Sequence, residues 1–289
     1  MGEELVAQEF TGRVAIVTGA GKGLGRAYAL QLARQGARVL VNNRCHVDQA
    51  NSADAVVNEI RASGGTAEAS YCSVEEDASG EQLVAEALQH FGQLDIVLAN
   101  AGVDRPQSFH KQTAADFDNI FAINFHGTAR LVHAAWPVLR EQGYGRVLVS
   151  TSTAGLYGNH GQAAYAASKA ALLGLMRSLA IEGRSRGLLI NALAPYAVTP
   201  LTKAWFAEGE GENFSAEAVA KVCAFILSER CDMTGQCIIA GADGIRKACM
   251  RETHTFSISE FSEPRPETEY VLSYQSASEE FEHFVKTLS

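Results

Sequence analysis

Two polar side chains in the second half of the sequence could form an acid–base pair. Tyr165 and Lys169 occupy positions i and i+4 of a predicted helix, so they share one helix face at about 6 Å from each other. A free phenol ionises near pH ~10, and a neighbouring ammonium favours phenolate, so we expect a lowered pKa for Tyr165. The phenol could then exchange a proton with a carbonyl or alcohol while a nicotinamide carries the hydride.

Two further residues could support this pair. Ser152 follows a predicted buried strand, and its hydroxyl could hold the reacting oxygen against the phenol. The same serine could instead cap a turn, which is the usual role of serine after a strand. Asn124 lies in a predicted long helix, where asparagine is a mediocre helix former. We expect its amide to anchor backbone groups and a water chain to Lys169, because a buried amide needs partners.

A glycine-rich turn between a predicted strand and a predicted helix could bind a pyrophosphate. Glycines let the backbone approach phosphate oxygens, whose charge is stabilised by the helix N-terminus. A Walker loop is excluded because Gly23 stands where that motif needs Ser or Thr after Lys22. The residues of this predicted dinucleotide site are Gly19, Gly21, Lys22, Gly23, Leu24 and Gly25.

The end of the second predicted strand bears on the choice between NAD and NADP. A carboxylate there would bind the ribose 2′-hydroxyl of NAD and repel the extra phosphate of NADP. The chain has Asn43 and Arg44 instead, and its first acid is Asp48. Arg44 offers a planar fork for a phosphate and Lys22 adds a point charge, although both could be solvated surface cations. We therefore favour NADP and keep NAD as the alternative.

Short apolar runs alternate with amphipathic stretches, which predicts an α/β fold. The predicted strands are Val14–Val17, Arg38–Asn42, Ile96–Ala99, Val147–Val149 and Cys237–Ala240, and the predicted helices cover about 23–34, 52–63, 77–90, 116–140, 162–184 and 215–228. Such alternation indicates one doubly wound domain, with a parallel sheet of about seven strands and helices on both faces.

Two segments depart from this alternation. Residues of about 196–214 are rich in Gly, Pro and Glu and include Trp205 and Phe206, which suggests a lid over a site or a poorly ordered surface loop. We predict a dinucleotide-binding and catalytic domain over residues 1–244. Residues 245–289 then form an extension that packs on the body or on a partner subunit.

Composition narrows the classes of partner. The chain has 289 residues and a formal net charge of −9, which argues against nucleic acid or an anionic membrane as the main partner. No apolar run is long enough to span a bilayer, and the acidic N-terminus does not resemble a signal peptide. Its six cysteines form no C-x-x-C pair, so we expect small buried hydrophobes in a reducing cytoplasm and no metal site.

Taken together, five motifs resemble the short-chain dehydrogenase/reductase family over about residues 10–244. They are Thr18-Gly-x-x-x-Gly-x-Gly25, Asn100-Ala-Gly102, Asn124, Ser152 and Tyr165-x-x-x-Lys169. The resemblance implies a Rossmann-type fold that binds NAD(P) and a catalytic set of Asn124, Ser152, Tyr165 and Lys169. It also implies a homodimer or homotetramer, because the helices holding Asn124 and Tyr165 usually pair across a two-fold axis.

The resemblance implies further cofactor contacts and a substrate class. The contacts would come from Ser73, Val74, Asn100, Ala101 and Gly102 on the adenosine side, and from Pro195, Val198 and Thr199 near the nicotinamide. Residues 21–29, 157–162 and 179–183 resemble one branch more closely, the (3R)-hydroxyacyl-CoA dehydrogenases. That branch forms part of peroxisomal multifunctional enzyme type 2, has stand-alone bacterial relatives, and in some members acts on 17β-hydroxysteroids.

This chain departs from the branch at two positions and from the wider family at a third. The branch usually has Asp where Asn43 stands and another cofactor-side acid where Cys72 stands, and most of the wider family has Gly where Tyr196 follows Pro195. We predict an NAD(P)-dependent enzyme that interconverts a secondary alcohol and a ketone on a small-molecule hydrophobic substrate. Substrate contacts are expected from His160, Tyr196, Trp205 and Phe206. The alternatives are a 3-oxoacyl or other carbonyl reductase that uses NADPH, and a non-catalytic dinucleotide-binding regulatory protein.

Overall fold

The structure is a computed structural model that describes residues 8–45, 51–203, 211–242, 244–253 and 270–272. Eight strands form its main sheet: β1 (Val14–Thr18), β2 (Arg38–Asn42), β3 (Thr66–Ser70), β4 (Ile96–Ala99), β5 (Gly145–Ser150), β6 (Leu188–Tyr196), β7 (Cys237–Gly241) and β8 (Gly244–Ala248). A separate antiparallel pair consists of β9 (Glu252–Thr253) and β10 (Tyr270–Leu272).

In the described part of the chain, eight α-helices connect the strands. They are α1 (Gly23–Arg34), α2 (Ser52–Ala62), α3 (Ser79–Phe91), α4 (Ala114–Phe121), α5 (Gly127–Gln142), α6 (Thr153–Tyr157), α7 (Ala163–Gly183) and α8 (Ala216–Leu227). A π-helical turn over Ala122–His126 joins α4 to α5, so the helix predicted over residues 116–140 is continuous but locally wider than an α-helix. Short 3₁₀ turns cover Phe109–Lys111 and Arg184–Arg186.

The order of the strands places a crevice at one edge of the sheet. The order is β3-β2-β1-β4-β5-β6-β7-β8, and the neighbours from β3 to β7 are parallel. The chain runs from β1 outward to β3 and then returns to place β4 on the other side of β1. Ligands of doubly wound sheets bind beyond the carboxyl ends of the strands at such a reversal point.

The central strands do not alternate apolar with polar residues, and burial on both faces explains this pattern. Every residue of β1 and β4 is buried, since helices cover both faces of the sheet. On one face, α1 and α8 pack together, and the core there includes Val17, Tyr28 and Leu98. The predicted strand number was wrong by one, because β8 is largely exposed and its Arg246-Lys247 sequence gives no apolar run.

Four of the six cysteines follow the expectation of burial. Cys72, Cys223, Cys231 and Cys237 are buried free thiols. The expectation was wrong for Cys45 and Cys249, which are exposed because each lies in a surface segment that follows a strand. Among the described residues, no helix has the length and apolar character needed to cross a bilayer.

The contacts divide the chain into two compact units. The first comprises residues 1–246 and contains strands β1 to β7 and the eight helices of the described residues. The second comprises residues 247–289, within which Thr253 pairs with Tyr270 in the small antiparallel sheet.

Candidate active site

The glycine turn has the tight geometry that the sequence predicts. Gly19 and Gly23 have φ angles of 62° and 57°, in the left-handed region that favours glycine. A Cβ on Gly25 would lie 2.2 Å from the Gly19 carbonyl oxygen, and one on Gly21 would lie 2.1 Å from Ser52 Oγ. Only glycine therefore fits at these positions, which leaves the backbone bare as a dinucleotide pyrophosphate requires.

The N-terminus of α1 is open, unlike those of several other helices. Its N-cap is the exposed, extended Lys22, which makes no side-chain cap hydrogen bond, and its first turn has no acidic residue. By contrast, Asn51, Thr113 and Ser215 cap α2, α4 and α8 through their side chains. The uncapped N–H groups and the helix dipole of α1 suit an anion, so this turn fits the pyrophosphate of NAD(P).

The end of β2 presents neutral amides and one paired cation. Asn43 Nδ2 donates to Ser52 Oγ at 2.9 Å, beside Gly21. Arg44 Nη1 lies 2.9 Å from Glu75 Oε1, so the arginine proposed as a phosphate fork is paired within the protein. Because this ion pair is substantially exposed, little free energy holds Arg44 against it.

The ends of β3 and β4 flank the glycine turn. Asn100 Nδ2 donates to the Thr18 carbonyl at 3.1 Å, and the Thr18 hydroxyl accepts from the backbone N–H groups of Asn100 and Ala101 at 3.0 and 3.1 Å. Beyond β3, the Cys72 carbonyl accepts from the buried Asn42 side chain at 2.9 Å, and Ser73 and Val74 follow directly. The predicted adenosine-side residues thus follow the carboxyl ends of β3 and β4.

Ser152, Tyr165 and Lys169 come together at the carboxyl end of β5. Ser152 lies beside Tyr165 and acts to lower the pKa of the phenol, and its Oγ accepts from Ala154 N–H at 3.1 Å as the cap of α6. Both roles considered for this serine, turn cap and partner of the phenol, are therefore present. Lys169 Nζ lies 5.8 Å from the centroid of the Tyr165 ring and donates to the Ser150 carbonyl at 2.7 Å.

The expected lowering of the Tyr165 pKa is wrong for the protein alone. Burial raises the pKa of Tyr165 to about 12, while the Ser152 hydrogen bond opposes this rise and the charge of Asp104 adds to it. Burial also lowers the pKa of Lys169 to about 8, with Asp104 acting in the opposite direction. Desolvation disfavours the charged form of both groups and is the largest cause of both shifts.

Asn124 lies in the π-helical turn and fixes the segment that follows β4. Its Oδ1 accepts from Val103 N–H at 2.8 Å, and its Nδ2 donates to the Val103 carbonyl at 2.9 Å. Nδ2 also lies 3.2 Å from Ser168 Oγ, next to Lys169 in sequence. A Cβ on the intervening Gly102 would lie 3.4 Å from both Asn124 Oδ1 and Lys169 Nζ. The predicted anchoring of backbone by Asn124 agrees with these contacts.

The predicted nicotinamide side follows β6. Pro195 pairs with Ala240 of β7, and Val198 N–H donates to the Phe214 carbonyl at 2.8 Å. A Cβ on Gly23 would lie 3.3 Å from Thr199 Cβ, which places Thr199 beside the glycine turn. Tyr196 is 44% exposed, and its hydroxyl donates to Thr153 Oγ1 at 3.1 Å, so it borders the start of α6.

The remaining predicted substrate residues are less informative. His160 is exposed in the turn before α7, where its backbone N–H donates to Asn159 Oδ1 at 2.9 Å. Trp205 and Phe206 belong to residues 204–210, the part of the predicted lid that lies outside the described residues. The lid therefore stays a prediction.

Sequence reasoning missed an acidic residue and two aromatic residues here. Asp104 is half-buried, accepts a hydrogen bond from Gln162 Nε2, and acts electrostatically on both Tyr165 and Lys169. Phe109 and Tyr157 are 69% and 75% exposed, in the loop after β4 and at the end of α6. Their positions just beyond the carboxyl ends of predicted strands were the available signal.

Comparison with known proteins agrees with this geometry. The family model described as short chain dehydrogenase matches residues 13–210. The chain is 42% identical to peroxisomal multifunctional enzyme type 2 of Mus musculus over 82% of this chain and 33% of that protein. It is 40% identical to a short-chain type dehydrogenase/reductase of Mycobacterium tuberculosis, over 82% and 85% of the two chains.

A third relative and a crystal structure complete the comparison. The chain is 37% identical to a 3-oxoacyl-[acyl-carrier-protein] reductase of Synechocystis, over 72% of this chain and 80% of that protein. A crystal structure of a short chain dehydrogenase from Mycobacterium avium superposes with a TM-score of 0.78 at 34% identity, over 90% and 92% of the chains. The chain spans only a third of the mouse relative and 57% of a related multifunctional enzyme of Dictyostelium discoideum.

The fold, the glycine turn and these matches lead to one conclusion. The family binds NAD(P), and its members act as oxidoreductases on small-molecule substrates. The alternative of a non-catalytic regulatory protein is therefore set aside. The chain belongs to the short-chain dehydrogenase family and is an oxidoreductase.

Proposed function

We propose that the enzyme interconverts a 3-hydroxyacyl thioester, such as a (3R)-3-hydroxyacyl-CoA, and the corresponding 3-oxoacyl thioester. The placement of Ser152 beside Tyr165, with the buried Lys169 Nζ 5.8 Å from the centroid of the Tyr165 ring, is the observation that carries this proposal. Relatives named as multifunctional enzyme type 2 and 3-oxoacyl reductase support the acyl substrate.

The geometry assigns a role to each side chain of this group. Ser152 and Tyr165 would hold the substrate hydroxyl between them, and Tyr165 would accept its proton as the alcohol becomes a ketone. Lys169 would stabilise, from behind the ring, the phenolate form of Tyr165 that is needed before the proton is accepted, and proton acceptance would return Tyr165 to the neutral phenol. Asn124 would keep the segment at Val103 in place through its two backbone hydrogen bonds. The glycine turn and the segment after β6 would hold the dinucleotide, which would supply or take up the hydride.

The surface around this group favours a hydrophobic substrate. Phe109, Tyr157, Tyr196 and Leu201 are all large, exposed side chains. Each lies in a segment that follows the carboxyl end of β4, β5 or β6. Exposed apolar groups that cluster beside a catalytic crevice commonly contact ligand, so these residues support an acyl chain or a steroid-like ring system.

Substitution of Tyr165 tests the proposed chemistry. We expect Tyr165→Phe to reduce kcat about 10³-fold, because general acid–base catalysis contributes roughly that factor, with nearly unchanged affinity for cofactor. Turnover would be followed by nicotinamide absorbance with 3-hydroxyacyl-CoA thioesters of several lengths, 17β-hydroxysteroids and polyols. The exposed Tyr71 provides a matched control, since Tyr71→Phe should leave kcat unchanged. A near-normal rate in Tyr165→Phe, or turnover of polyols alone, would contradict the proposal.

The reductase alternative concerns the direction and the cofactor. Arg44 and Lys22 lie on the side that we expect to hold the adenosine ribose, whose 2′-phosphate distinguishes NADP from NAD. Asn43 carries no charge that would repel that phosphate. These features favour NADP(H), which would suit reduction of 3-oxoacyl thioesters. The ratio of kcat/KM with NADPH to that with NADH, measured on one 3-oxoacyl thioester, would identify the preferred cofactor.

Arg44 gives the sharper test of cofactor choice. We expect Arg44→Ala to weaken NADP binding about tenfold more than NAD binding, because only NADP offers a phosphate to the guanidinium. Conversely, Glu75→Gln should strengthen NADP binding, since it releases Arg44 from its ion pair. Fluorescence titration with each reduced cofactor measures both effects. Equal losses of NAD and NADP affinity in Arg44→Ala would refute the phosphate-fork role.

Location and assembly stay predictions. A cytoplasmic location was expected from the sequence, whereas the mouse relative is named as a peroxisomal protein. We also propose a homodimer or homotetramer, which sedimentation equilibrium of the purified chain would test.

A further inference from the structure

Asp104 has no role in the reaction proposed above, although its backbone lies close to the catalytic side chains. It lies two residues beyond Gly102, whose added Cβ would be 3.4 Å from Lys169 Nζ. The backbone of Val103, which precedes it, is clamped on both sides by the Asn124 amide at 2.8 and 2.9 Å. The chain therefore holds Asp104 two residues beyond the point at which the backbone approaches the buried Lys169 Nζ.

A relay of amide side chains orients this carboxylate. Asn159 Nδ2 donates to Gln162 Oε1 at 2.8 Å, and Gln162 Nε2 donates to Asp104 Oδ2. Gln107 N–H donates to the Gly161 carbonyl at 2.8 Å, so the loop after β4 and the turn before α7 are tied together at a second point. The rotamer of Asp104 is thus set by groups that lie next to Tyr165 in sequence.

The other carboxylate oxygen, Asp104 Oδ1, is buried without a hydrogen-bond partner in the described part of the chain. Leaving a buried acceptor unpaired disfavours folding, so an electrostatic benefit elsewhere is the natural compensation. The interaction of Asp104 with Lys169 favours the charged forms of both groups, because the two charges are opposite.

The other groups around Lys169 do not supply this charge. From β5, α6 and the π-helical turn, the neighbours of Lys169 are the neutral Ser150 carbonyl, Thr151, Gly155 and Asn124. β6 has no charged residue. On α4, Asp118 is exposed, and Asp116 is bound to Thr113 and Arg105. Of the described residues, Asp104 is the one carboxylate that acts on Lys169.

We propose that Asp104 is a positioning residue whose carboxylate keeps Lys169 charged behind Tyr165. This inference rests on the proposed function of the Tyr165–Lys169 pair and extends it to a residue outside the four motif residues. The proposal fixes the direction in which Asp104 changes the pKa of Lys169. Burial alone lowers the pKa of Lys169, and a carboxylate opposes that change, so an ammonium is retained at the pH values where the enzyme would need it.

The first test measures the lysine directly and needs no substrate. The full-length protein would be labelled with ¹³C at lysine Cε, and the Lys169 resonance assigned by its loss in Lys169→Met. The wild-type midpoint should fall near a pKa of about 8. We expect Asp104→Asn, which preserves shape and the acceptor for Gln162, to lower that midpoint by about half to one pH unit.

Two matched variants separate charge from packing. Gln162→Leu removes the hydrogen bond that orients Asp104 but keeps the carboxylate, so the Lys169 midpoint should fall by less than it does in Asp104→Asn. Asp118→Asn removes an exposed carboxylate from the neighbouring α4 and should leave the midpoint unchanged. An unchanged midpoint in Asp104→Asn, or an equal shift in Gln162→Leu, would overturn the proposal. Thermal unfolding of each variant would verify that it is folded.

A kinetic test connects the charge to turnover. Removal of a negative charge lowers the pKa of every group coupled to it, so the acid limb of kcat/KM for alcohol oxidation should move to lower pH in Asp104→Asn. A merely structural role would reduce kcat without moving that limb, and this result would contradict the proposal. If the Lys169 midpoint shifts but no alcohol or ketone is turned over, the proposed function fails and the role of Asp104 stands.

Discussion

The two edges of the sheet handle buried charge in opposite ways. At the amino-terminal edge, the buried Asp95 accepts from Arg13 Nη1 at 3.0 Å, from Val14 N–H at 2.8 Å and from Gln93 Nε2 at 2.7 Å. Arg13 also stacks over the Tyr144 ring, with the guanidinium carbon 3.6 Å from its centroid. Every charge in this cluster has several close partners.

At the carboxyl-terminal edge, charges are held with fewer partners. Asp104 has a buried oxygen without a partner among the described residues, and burial shifts the pKa values of Tyr165 and Lys169 towards their neutral forms. Saturated pairs such as Arg13–Asp95 join elements of the fold, whereas unsaturated groups remain free to exchange protons with a substrate. The contrast indicates that the amino-terminal edge stabilises the fold, whereas the carboxyl-terminal edge, called the chemical edge below, carries out proton exchange.

The largest effect should come from disrupting the saturated cluster. Asp95→Ala leaves Arg13 without its buried partner, so we expect a loss of about 3–5 kcal/mol in the free energy of unfolding. Denaturant titration of the purified protein would measure it, with the exposed Asp118→Ala as control. A loss below about 1 kcal/mol would show that this cluster contributes no more than a surface ion pair.

A smaller effect of opposite sign is expected at the chemical edge. The Lys169 pKa of about 8 in the folded protein lies below its usual value of 10.5, so below pH 8 the fold retains an ammonium at an energetic penalty. We expect Lys169→Met to raise the free energy of unfolding by about 1–3 kcal/mol at pH 7 while abolishing turnover. The gain should shrink as the pH rises from about 8 towards 10.5. A gain independent of pH would contradict this explanation.

The smallest effect is expected at Tyr144. Its hydroxyl is buried without a hydrogen-bond partner in the described residues, while its ring lies under Arg13 and Arg146. Tyr144→Phe keeps the ring and removes an unsatisfied polar group, so the stability should change by less than about 0.5 kcal/mol. A large loss in the free energy of unfolding, measured by chemical denaturation, would show that the Tyr144 hydroxyl has a stabilising partner.

The features that the sequence predicts well depend on local chain geometry. The turn from Gly19 to Gly25 is specified by glycines between a strand and a helix, and the structure confirms the need for small residues there. Tyr165 and Lys169 are brought together by helical spacing alone. Such features need no information about distant parts of the chain.

Features that depend on distant partners escaped prediction. β6 contains Asn191, which interrupts its apolar run, yet this amide is buried because it donates to the Met233 carbonyl at 2.7 Å and accepts from Gln236 N–H at 3.1 Å. β3 is an edge strand with an exposed first residue, so its apolar signal is weak. The direction of the Tyr165 pKa shift was wrong because burial, a property of the whole fold, is the largest cause of that shift.

The π-helical turn over Ala122–His126 has a consequence for how this chain tolerates length changes. Such a turn holds one residue more than an α-helical turn, so deleting one residue there would restore regular geometry and should not break the helix. The deletion would, however, rotate the residues before it by about 100° relative to those after it. Asn124 could then no longer reach both backbone groups of Val103. A shortened chain of this kind should fold at least as firmly as the parent and yet be catalytically impaired.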